Sequence, residues 1–150
     1  VCTELGMVPG AAVCRLFELK QGEEAYCCAR RVRALNEKPA VYELDYFPPQ
    51  DAEFLTKELL SGSVFRLLRQ WKKLRVVREK ETIIRVRYAD AETADALGLV
   101  KGQPVVYTRT CYLDGRDQVV LLNEQYIDSE RYVIRTGGHE LRLDEAEENG

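Results

Sequence analysis

The sequence predicts an α+β domain in which an antiparallel sheet of about six strands is flanked by helices. Three observations lead to this fold class. Residues 25–48 alternate between apolar and polar side chains on both sides of a turn, as a β-hairpin does. A second hairpin pattern follows at an offset of 80 residues. Amphipathic segments of helical period lie between the two hairpins, around residues 51–71.

The first hairpin sorts its side chains into two sets, because successive residues of a strand face opposite sides. Arg31 and Arg33 share one side of the first arm, and Glu43 lies on that side of the second arm if it is opposite Arg31. This register requires a loop of three or five residues, since a two-residue loop would mix the polar and apolar sets. We therefore predict an odd-length loop around residues 36–38.

The polar side of this hairpin has two interpretations. It begins with small residues and ends in Arg31 and Arg33 facing Glu43, which is typical of a pocket floor. Antiparallel sheets also often bury one side only, and opposite charges across a strand pair are ordinary on a solvated face. The hairpin alone does not decide between a pocket and a solvated face.

The other elements are predicted from caps, breakers and periodicity. In chain order they are an edge strand at residues 1–8, a helix at 11–17, a helix from Asp51 to about Leu60 with Asp51 as its N-cap, a helix after Ser63 through Trp71, a long strand at 74–88, and a helix at 91–97 capped by Asp90.

The second half of the chain repeats landmarks of the first. Phe17-x-Leu19-x-x-Gly22 matches Leu97-x-Leu99-x-x-Gly102 at an offset of 80, and Tyr46-Phe47 matches Tyr126-Ile127 at the same offset. Asp114-Gly115 marks the turn of the second hairpin. We predict a pseudo-duplicated domain made of two helix-hairpin units.

Composition narrows the class of protein. With 150 residues and 45% hydrophobic residues, the chain has the size of one globular domain. It contains no run of about 18 apolar residues, so no membrane partner is expected. Its five cysteines form no C-x-x-C pair, and we assign no catalytic role to the one histidine, His139. We expect free thiols in a reducing, cytoplasmic compartment, and neither a metal nor a cofactor.

The net charge of -3 is unevenly distributed. Residues 139–150 carry five acids and one base, which sum to -4 and leave about +1 for residues 1–138. Because phosphate neutralisation dominates nucleic-acid affinity, the near-neutral part is predicted to be a poor duplex binder by itself. We expect residues 1–138 to form the domain and residues 139–150 to form an acidic tail.

The residues that carry chemistry favour anion binding. Arg31 and Arg33 supply forked donors, and a helix beginning at Ser63 offers a hydroxyl and unpaired N–H groups to a phosphate or carboxylate. The sequence alone does not bring Ser63 near Arg31. The chain has no nucleophile elbow, phosphate loop or acidic cluster with metal spacing, so ligand binding without turnover is the simpler hypothesis.

Several motifs occur together in a characteristic order. They are R-x-R at Arg31 and Arg33 followed by Asn36 and Pro39, then E-x-x-Y-F-P from Glu43, Ser63-Val64-Phe65, A-x-A-L-G-L-x-x-G from Ala94 to Gly102, and the segment 126–132. Their order and spacing resemble the UTRA (UbiC transcription regulator-associated) domain. This is the effector-binding part of the HutC branch of GntR-type bacterial transcription regulators. The resemblance covers nearly the whole chain.

The resemblance implies a chorismate lyase-like fold in a homodimeric regulator rather than an enzyme. A winged helix-turn-helix domain would precede this one and make the DNA contacts. That domain is absent from this chain, and the start at Val1 rather than Met leads us to expect a longer native protein. Family members sense small metabolites, often phosphorylated sugars, so the expected partner is a small anionic metabolite.

The ligand-binding positions also follow from the resemblance. They are Arg31, Arg33, Glu43, Ser63, Phe65 and Tyr126. Phe65 stands where tyrosine is common, and Val120 stands where many relatives have a ligand-contacting glutamate. The anion end of the pocket is therefore expected to be retained and the specificity end to be altered.

Two other functions stay open. An enzyme of the same fold, similar to chorismate lyase, would hold carboxylates with Arg31 or Arg33 and use Glu43 as its acid. A dimerisation module without an effector would use the basic helix after Ser63 and the strand at 75–88 as its working surface.

Overall fold

The computed structural model describes residues 2–9, 11–17, 25–56, 60–134 and 141–142. Its elements, in chain order, are β1 (Cys2–Pro9), α1 (Ala11–Leu16), β2 (Ala25–Leu35), β3 (Lys38–Phe47), a 3₁₀ helix (Pro49–Asp51), α2 (Val64–Trp71), β4 (Val76–Tyr88), α3 (Ala91–Leu97), β5 (Pro104–Asp114), β6 (Val119–Ile127) and β7 (Leu141–Arg142). The described residues thus contain both helices and strands, as the predicted α+β class requires. None of the helices in the described ranges is long and apolar enough to cross a membrane.

The described strands form one seven-stranded antiparallel sheet in the order β1-β2-β3-β6-β5-β4-β7. The predicted antiparallel sheet with flanking helices is confirmed. The sheet has one strand more than the predicted six because Leu141–Arg142 pairs with Val76 and Val77. This short strand falls in the segment predicted to be an acidic tail, whose other residues lie outside the described ranges.

The strand order is symmetrical about the β3–β6 pair. Moving outward from that pair, β3 is followed by β2 and β1, and β6 is followed by β5 and β4. Each half also has a helix between its first and second strands. The element order agrees with the predicted repeat, whereas the duplication itself stays a prediction. The matched residues 18–24 lie outside the described ranges.

The first hairpin has the predicted register but a different turn. Arg31 lies opposite Glu43. The turn contains only Asn36 and Glu37, whose φ angles of 49° and 66° are typical of a tight two-residue hairpin turn. The predicted odd-length loop is therefore wrong. A register shift next to Arg33 leaves Ala40 as an extra residue in β3, and this bulge restores the alternation that the loop was expected to supply.

Both faces of the sheet are covered around β2, β3 and β6, whereas Ile84, Val86 and Tyr88 of β4 are exposed. We call residues 49–72 the insert, the side of the sheet that packs against its described residues the insert face, and the side that packs against α1 and α3 the helix face. Phe47 on the insert face is fully buried with Leu60 and Leu68. Tyr46 and Tyr42 on the helix face belong to separate clusters that contain Val13 of α1 and Leu97 of α3. The alternation in the hairpin therefore separates two cores rather than a core and solvent.

The insert begins differently from the prediction. Asp51 lies within the 3₁₀ helix and does not cap an α-helix. Its buried carboxylate accepts a hydrogen bond from Lys72 Nζ at 2.6 Å, so it is engaged away from the local backbone. The chain continues as turns over residues 52–54, and residues 57–59 lie outside the described ranges. The helix predicted from Asp51 to Leu60 is therefore wrong over its first half, while the helix after Ser63 is confirmed.

Helix α3 provides a test of local stability. The Asp90 carboxylate accepts a hydrogen bond from the Thr93 amide at 2.8 Å, which makes Asp90 the predicted N-cap and lowers its pKa. We expect Asp90→Ala to lower the free energy of unfolding by about 1 kcal/mol, measured by urea denaturation. Asp95→Ala is the matched control on the exposed side of the same helix, with an expected change within about 0.5 kcal/mol. Equal losses in the two variants would contradict the capping role.

Candidate ligand-binding site

Arg31 is the centre of a buried charge network on the insert face. Its Nη2 lies 2.8 Å from Glu43 Oε2 and 2.6 Å from Asp45 Oδ2. These three residues are 1%, 3% and 1% exposed, respectively. Arg33 donates from Nε to the same Glu43 oxygen at 2.8 Å, but 48% of its side chain is exposed. The solvated-face interpretation is therefore wrong for Arg31 and Glu43, and of these four side chains only Arg33 opens towards solvent.

Two amide side chains of β6 complete this network. Asn123 donates from Nδ2 to Glu43 Oε1 at 2.9 Å and to Asp45 Oδ1 at 2.8 Å. Gln125 donates from Nε2 to Glu43 Oε1 at 3.1 Å. Asn123 lies opposite Asp45, and Gln125 lies opposite Glu43. Sequence reasoning missed both amides. Because Asn123 and Gln125 are two positions apart, the sequence indicates that they share one face of β6. It does not indicate that β6 pairs with β3, which is what brings them to Glu43.

Arg31 also ties the turn before α2 to the sheet. Its Nη1 donates to the carbonyl oxygens of Leu60 and Gly62, at 3.1 and 3.2 Å. Ser63 follows directly and caps α2, with its hydroxyl oxygen accepting from the Arg66 amide at 3.4 Å. The structure thus brings the start of α2 beside Arg31. This proximity did not follow from the residues alone.

Phe65 and Val120 both contribute apolar packing near this network. The Phe65 ring meets the Tyr112 ring edge to face, with centroids 5.1 Å apart. Val120 is buried in the cluster that contains Phe47. A register shift between β5 and β6 leaves Val120 outside the ladder, so that it joins the insert-face cluster together with Leu121. Neither side chain carries a group that could hydrogen-bond a ligand.

Tyr126 lies on the opposite side of the sheet from the other predicted site residues. It is directly across from Tyr42, while Gln125 is across from Glu43, so Tyr126 belongs to the helix face. Its ring packs against Tyr42 and Tyr107 at centroid distances of 6.2 and 5.2 Å. The structure therefore brings together four of the predicted site positions, namely Arg31, Arg33, Glu43 and the turn at Ser63. The Tyr126 side chain lies on the other face of the sheet.

The two carboxylates of the network have different proton affinities. Burial alone would raise the pKa of Glu43, but the charges of Arg31 and Arg33 and a hydrogen bond from Gln125 lower it overall. For Asp45, burial and the neighbouring Glu43 charge raise the pKa to about 7, although Arg31 opposes the shift. Glu43 is thus a carboxylate at neutral pH, while Asp45 is close to its midpoint.

The site has donors for an anion rather than ligands for a metal. Arg33 has two Nη nitrogens without a partner among the described residues. The first amides of a helix such as α2 have no partner within the helix. Within the described ranges, no group of three or more His, Cys, Asp or Glu side chains is arranged to hold a metal ion. The chemistry of this part of the chain therefore favours a ligand with negatively charged oxygens.

The same fold occurs in solved bacterial proteins. A GntR-family transcriptional regulator from Enterococcus faecalis V583 superposes with a TM-score of 0.78 at 13% identity, over 91% of this chain and 96% of that one. A structure from Bordetella bronchiseptica, described as the ligand-binding domain of a GntR-family regulator, gives 0.76 at 23% identity, over 91% of each chain. The possible transcriptional regulator YydK from Bacillus subtilis gives 0.74 at 20% identity over 91% of this chain. Our chain spans 60% of the length of YydK.

These structures show that this chain has a fold found in transcriptional regulators, including one described as a ligand-binding domain. Residues 6–133 also match the family model of the UTRA domain. This chain belongs to the UTRA domain family, which confirms the resemblance carried by its motifs. No curated protein has a significant match to it.

Proposed function

We propose that this UTRA domain is the sensor of a GntR/HutC-type transcription regulator and binds a small anionic metabolite, such as a sugar phosphate. The observation that carries the proposal is the position of Arg33. Its half-exposed guanidinium extends from the buried Arg31–Glu43 network on the same face as the turn that leads into α2. Arg31 of the same network contacts the Gly62 carbonyl just before α2, and arginines near the start of a helix are a favourable arrangement for phosphate or carboxylate.

The buried part of the network supports the site by holding its shape. Arg31 links β2, β3 and the Gly62 carbonyl, so the start of α2 is held relative to the sheet. Glu43 accepts hydrogen bonds from four side chains, which hold its carboxylate in place; these are Arg31, Arg33, Asn123 and Gln125. A preformed site of this kind loses less conformational entropy on binding than one built from free side chains.

In the proposed mechanism the effector changes the state of a homodimer. An anion bridging Arg33 and the start of α2 interacts differently with two arrangements of the insert, and so shifts their populations. In the full-length regulator this shift changes the spacing of the N-terminal winged helix-turn-helix domains on DNA. The same proposal assigns residues 1–138 to the sensor domain, to whose sheet β7 adds one short strand, and assigns its action to the cytoplasm.

The proposal is tested by titrating the protein with hexose 6-phosphates and inorganic phosphate in a calorimeter. Loss of a charged hydrogen bond costs about 1.5–3 kcal/mol, so we expect Arg33→Ala to weaken binding by about 10- to 150-fold. Arg30→Ala is the matched control. Arg30 is the neighbour of Arg31 on β2, so it faces the opposite side of the sheet, where it pairs with Glu92. Equal affinities of Arg33→Ala and the unaltered protein would remove Arg33 from the site.

The enzyme alternative has a separate test. A chorismate lyase-like reaction that used Glu43 as its acid would require a protonated Glu43, whereas the surrounding arginines lower its pKa. We expect no pyruvate when the protein is incubated with chorismate. Turnover would overturn the sensor function. A complete lack of thermal stabilisation by any anionic metabolite would instead favour a dimerisation module without an effector.

A further inference from the structure

Asp45 gives the candidate site an excess of buried negative charge. Glu43 and Asp45 share the Nη2 of Arg31, at 2.8 and 2.6 Å. Arg33 is the other cation of the network and pairs with Glu43. When both carboxylates are ionised, the two arginines are neutralised and the network has no net positive charge for an anion. When Asp45 is protonated, the network carries one positive charge.

The hydrogen bonds between Asp45 and Arg31 are incomplete. The Oδ1 of Asp45 accepts from Asn123, but its Oδ2 lacks a well-directed hydrogen bond despite its short distance to Arg31. The Nε of Arg31 is also buried without an acceptor among the described residues. Buried polar groups are nearly always paired, so the unpaired donor and acceptor show that hydrogen bonds compensate the charges of Arg31 and Asp45 only in part.

The groups around Asp45 identify it as the one that changes charge near neutral pH. It faces Glu43 on its own strand, Arg31 from β2, the neutral Asn123 from β6 and Tyr112 from β5, while the Cys28 thiol lies across the sheet. Burial raises the pKa values of Tyr112 and Cys28 to about 12, so both stay neutral. From the insert, the carbonyl oxygens of Leu60 and Gly62 accept hydrogen bonds from Arg31. Burial and Glu43 place the pKa of Asp45 at about 7.

We propose that Asp45 couples effector binding to proton uptake, because an anionic effector and the ionised Asp45 carboxylate compete for the positive charge of Arg31 and Arg33. The effector-bound state carries Asp45 as the neutral acid, and the proton comes from solvent. This inference rests on the proposed function, since it concerns the same anion site. It assigns to Asp45 the role of a specificity residue that favours anions at mildly acidic pH.

The direction of the pH effect follows from linkage. Below the Asp45 midpoint the carboxyl is already protonated, so the effector binds without taking up a proton. Above the midpoint each binding event requires one proton, and affinity falls by up to about tenfold per pH unit. Asp45→Asn is a permanently neutral mimic of the protonated acid. It should bind with the same affinity across this range and at least about tenfold more tightly than the unaltered protein at pH 8.5.

The experiment uses inorganic sulfate, whose charge does not change between pH 6 and 9. Its dissociation constant is measured by NMR titration of the Arg33 Nε–H signal in the unaltered protein, in Asp45→Asn and in Asp51→Asn. Asp51 is another buried aspartate of the insert but pairs with Lys72, so Asp51→Asn should keep the normal pH dependence. A second measurement needs no substitution: the ¹³C titration midpoint of the Asp45 carboxyl should move to higher pH when sulfate saturates the protein.

The outcomes separate this inference from the proposed function. Sulfate binding that weakens with pH in the unaltered protein and not in Asp45→Asn supports proton coupling. Binding that is independent of pH in the unaltered protein, or equally dependent in Asp45→Asn, overturns the coupling and leaves the anion site in place. If neither protein binds sulfate at pH 6, both the anion site and the role of Asp45 are overturned.

Discussion

Arg31→Met is expected to lower the free energy of unfolding by about 3–5 kcal/mol, the cost of breaking a buried ion pair from one side. The reason is that Glu43 and Asp45 stay buried after Arg31 is removed, and the carbonyls of Leu60 and Gly62 lose their donor. Urea denaturation at pH 8 measures the loss, because Glu43 is ionised there and Asp45 is above its midpoint.

Two controls make this result specific to the buried charges. Arg33→Met removes an arginine that touches the same carboxylate but has 48% of its side chain exposed, so its expected cost is below about 1 kcal/mol. Adding Glu43→Gln and Asp45→Asn to Arg31→Met should recover part of the lost stability. If Arg31→Met and Arg33→Met cost the same, Arg31 does not have the structural role assigned to it.

Phe47→Ala is expected to lower the free energy of unfolding by about 3–5 kcal/mol because it opens a cavity in the core. Phe47 is fully buried at the end of β3 and packs with Leu68 of α2 and Leu121 of β6. The measurement is again urea denaturation. Leu35→Ala is the control, since Leu35 is 49% exposed at the hairpin turn and should change stability by less than about 0.5 kcal/mol. Similar losses in the two variants would show that α2 does not seal this core.

Local patterns predicted most of the secondary structure. The caps predicted at Asp90 and Ser63 are confirmed, and the long strand predicted at residues 74–88 corresponds to β4. These features depend on neighbours within a few residues, where backbone preferences act directly. The errors arose where a distant contact decided the outcome. Asp51 is of a residue type that often caps helices, but its carboxylate accepts a hydrogen bond from Lys72 at the other end of the insert.

The hairpin shows the same limit at the level of register. The pairing of Arg31 with Glu43 was predicted correctly because the alternation of side chains must match across two strands. The loop length was wrong because a bulge at Ala40 achieves that match with a two-residue turn. A periodic pattern constrains which residues face each other, but several combinations of turn and bulge give the same facing residues.

The candidate site was predicted in part. Arg31, Arg33, Glu43 and the turn at Ser63 meet on the insert face, as the motif order suggested. Their role in ligand binding stays a prediction. Asn123 was missed because its contacts reach back to β3 across most of the chain.

Tyr126 differs from the other predicted site residues because it lies on the helix face of the sheet. The family pattern names a position in the chain, and that position turned out to be on the helix face. Its side chain contributes to the packing around Tyr42 rather than to the network of Arg31.

The sequence by itself determined the fold class, most of the element order, the caps at Ser63 and Asp90, and the family. Each of these depends on residue types at short or regular spacing. The tertiary structure alone decided that the polar face of the first hairpin is buried. Residues 49–56 and 60–71 fold over that face and enclose Arg31, Glu43 and Asp45 in a medium where a charge needs a partner. Burial is set by what packs on top of a strand, and no pattern within the strand contains that information.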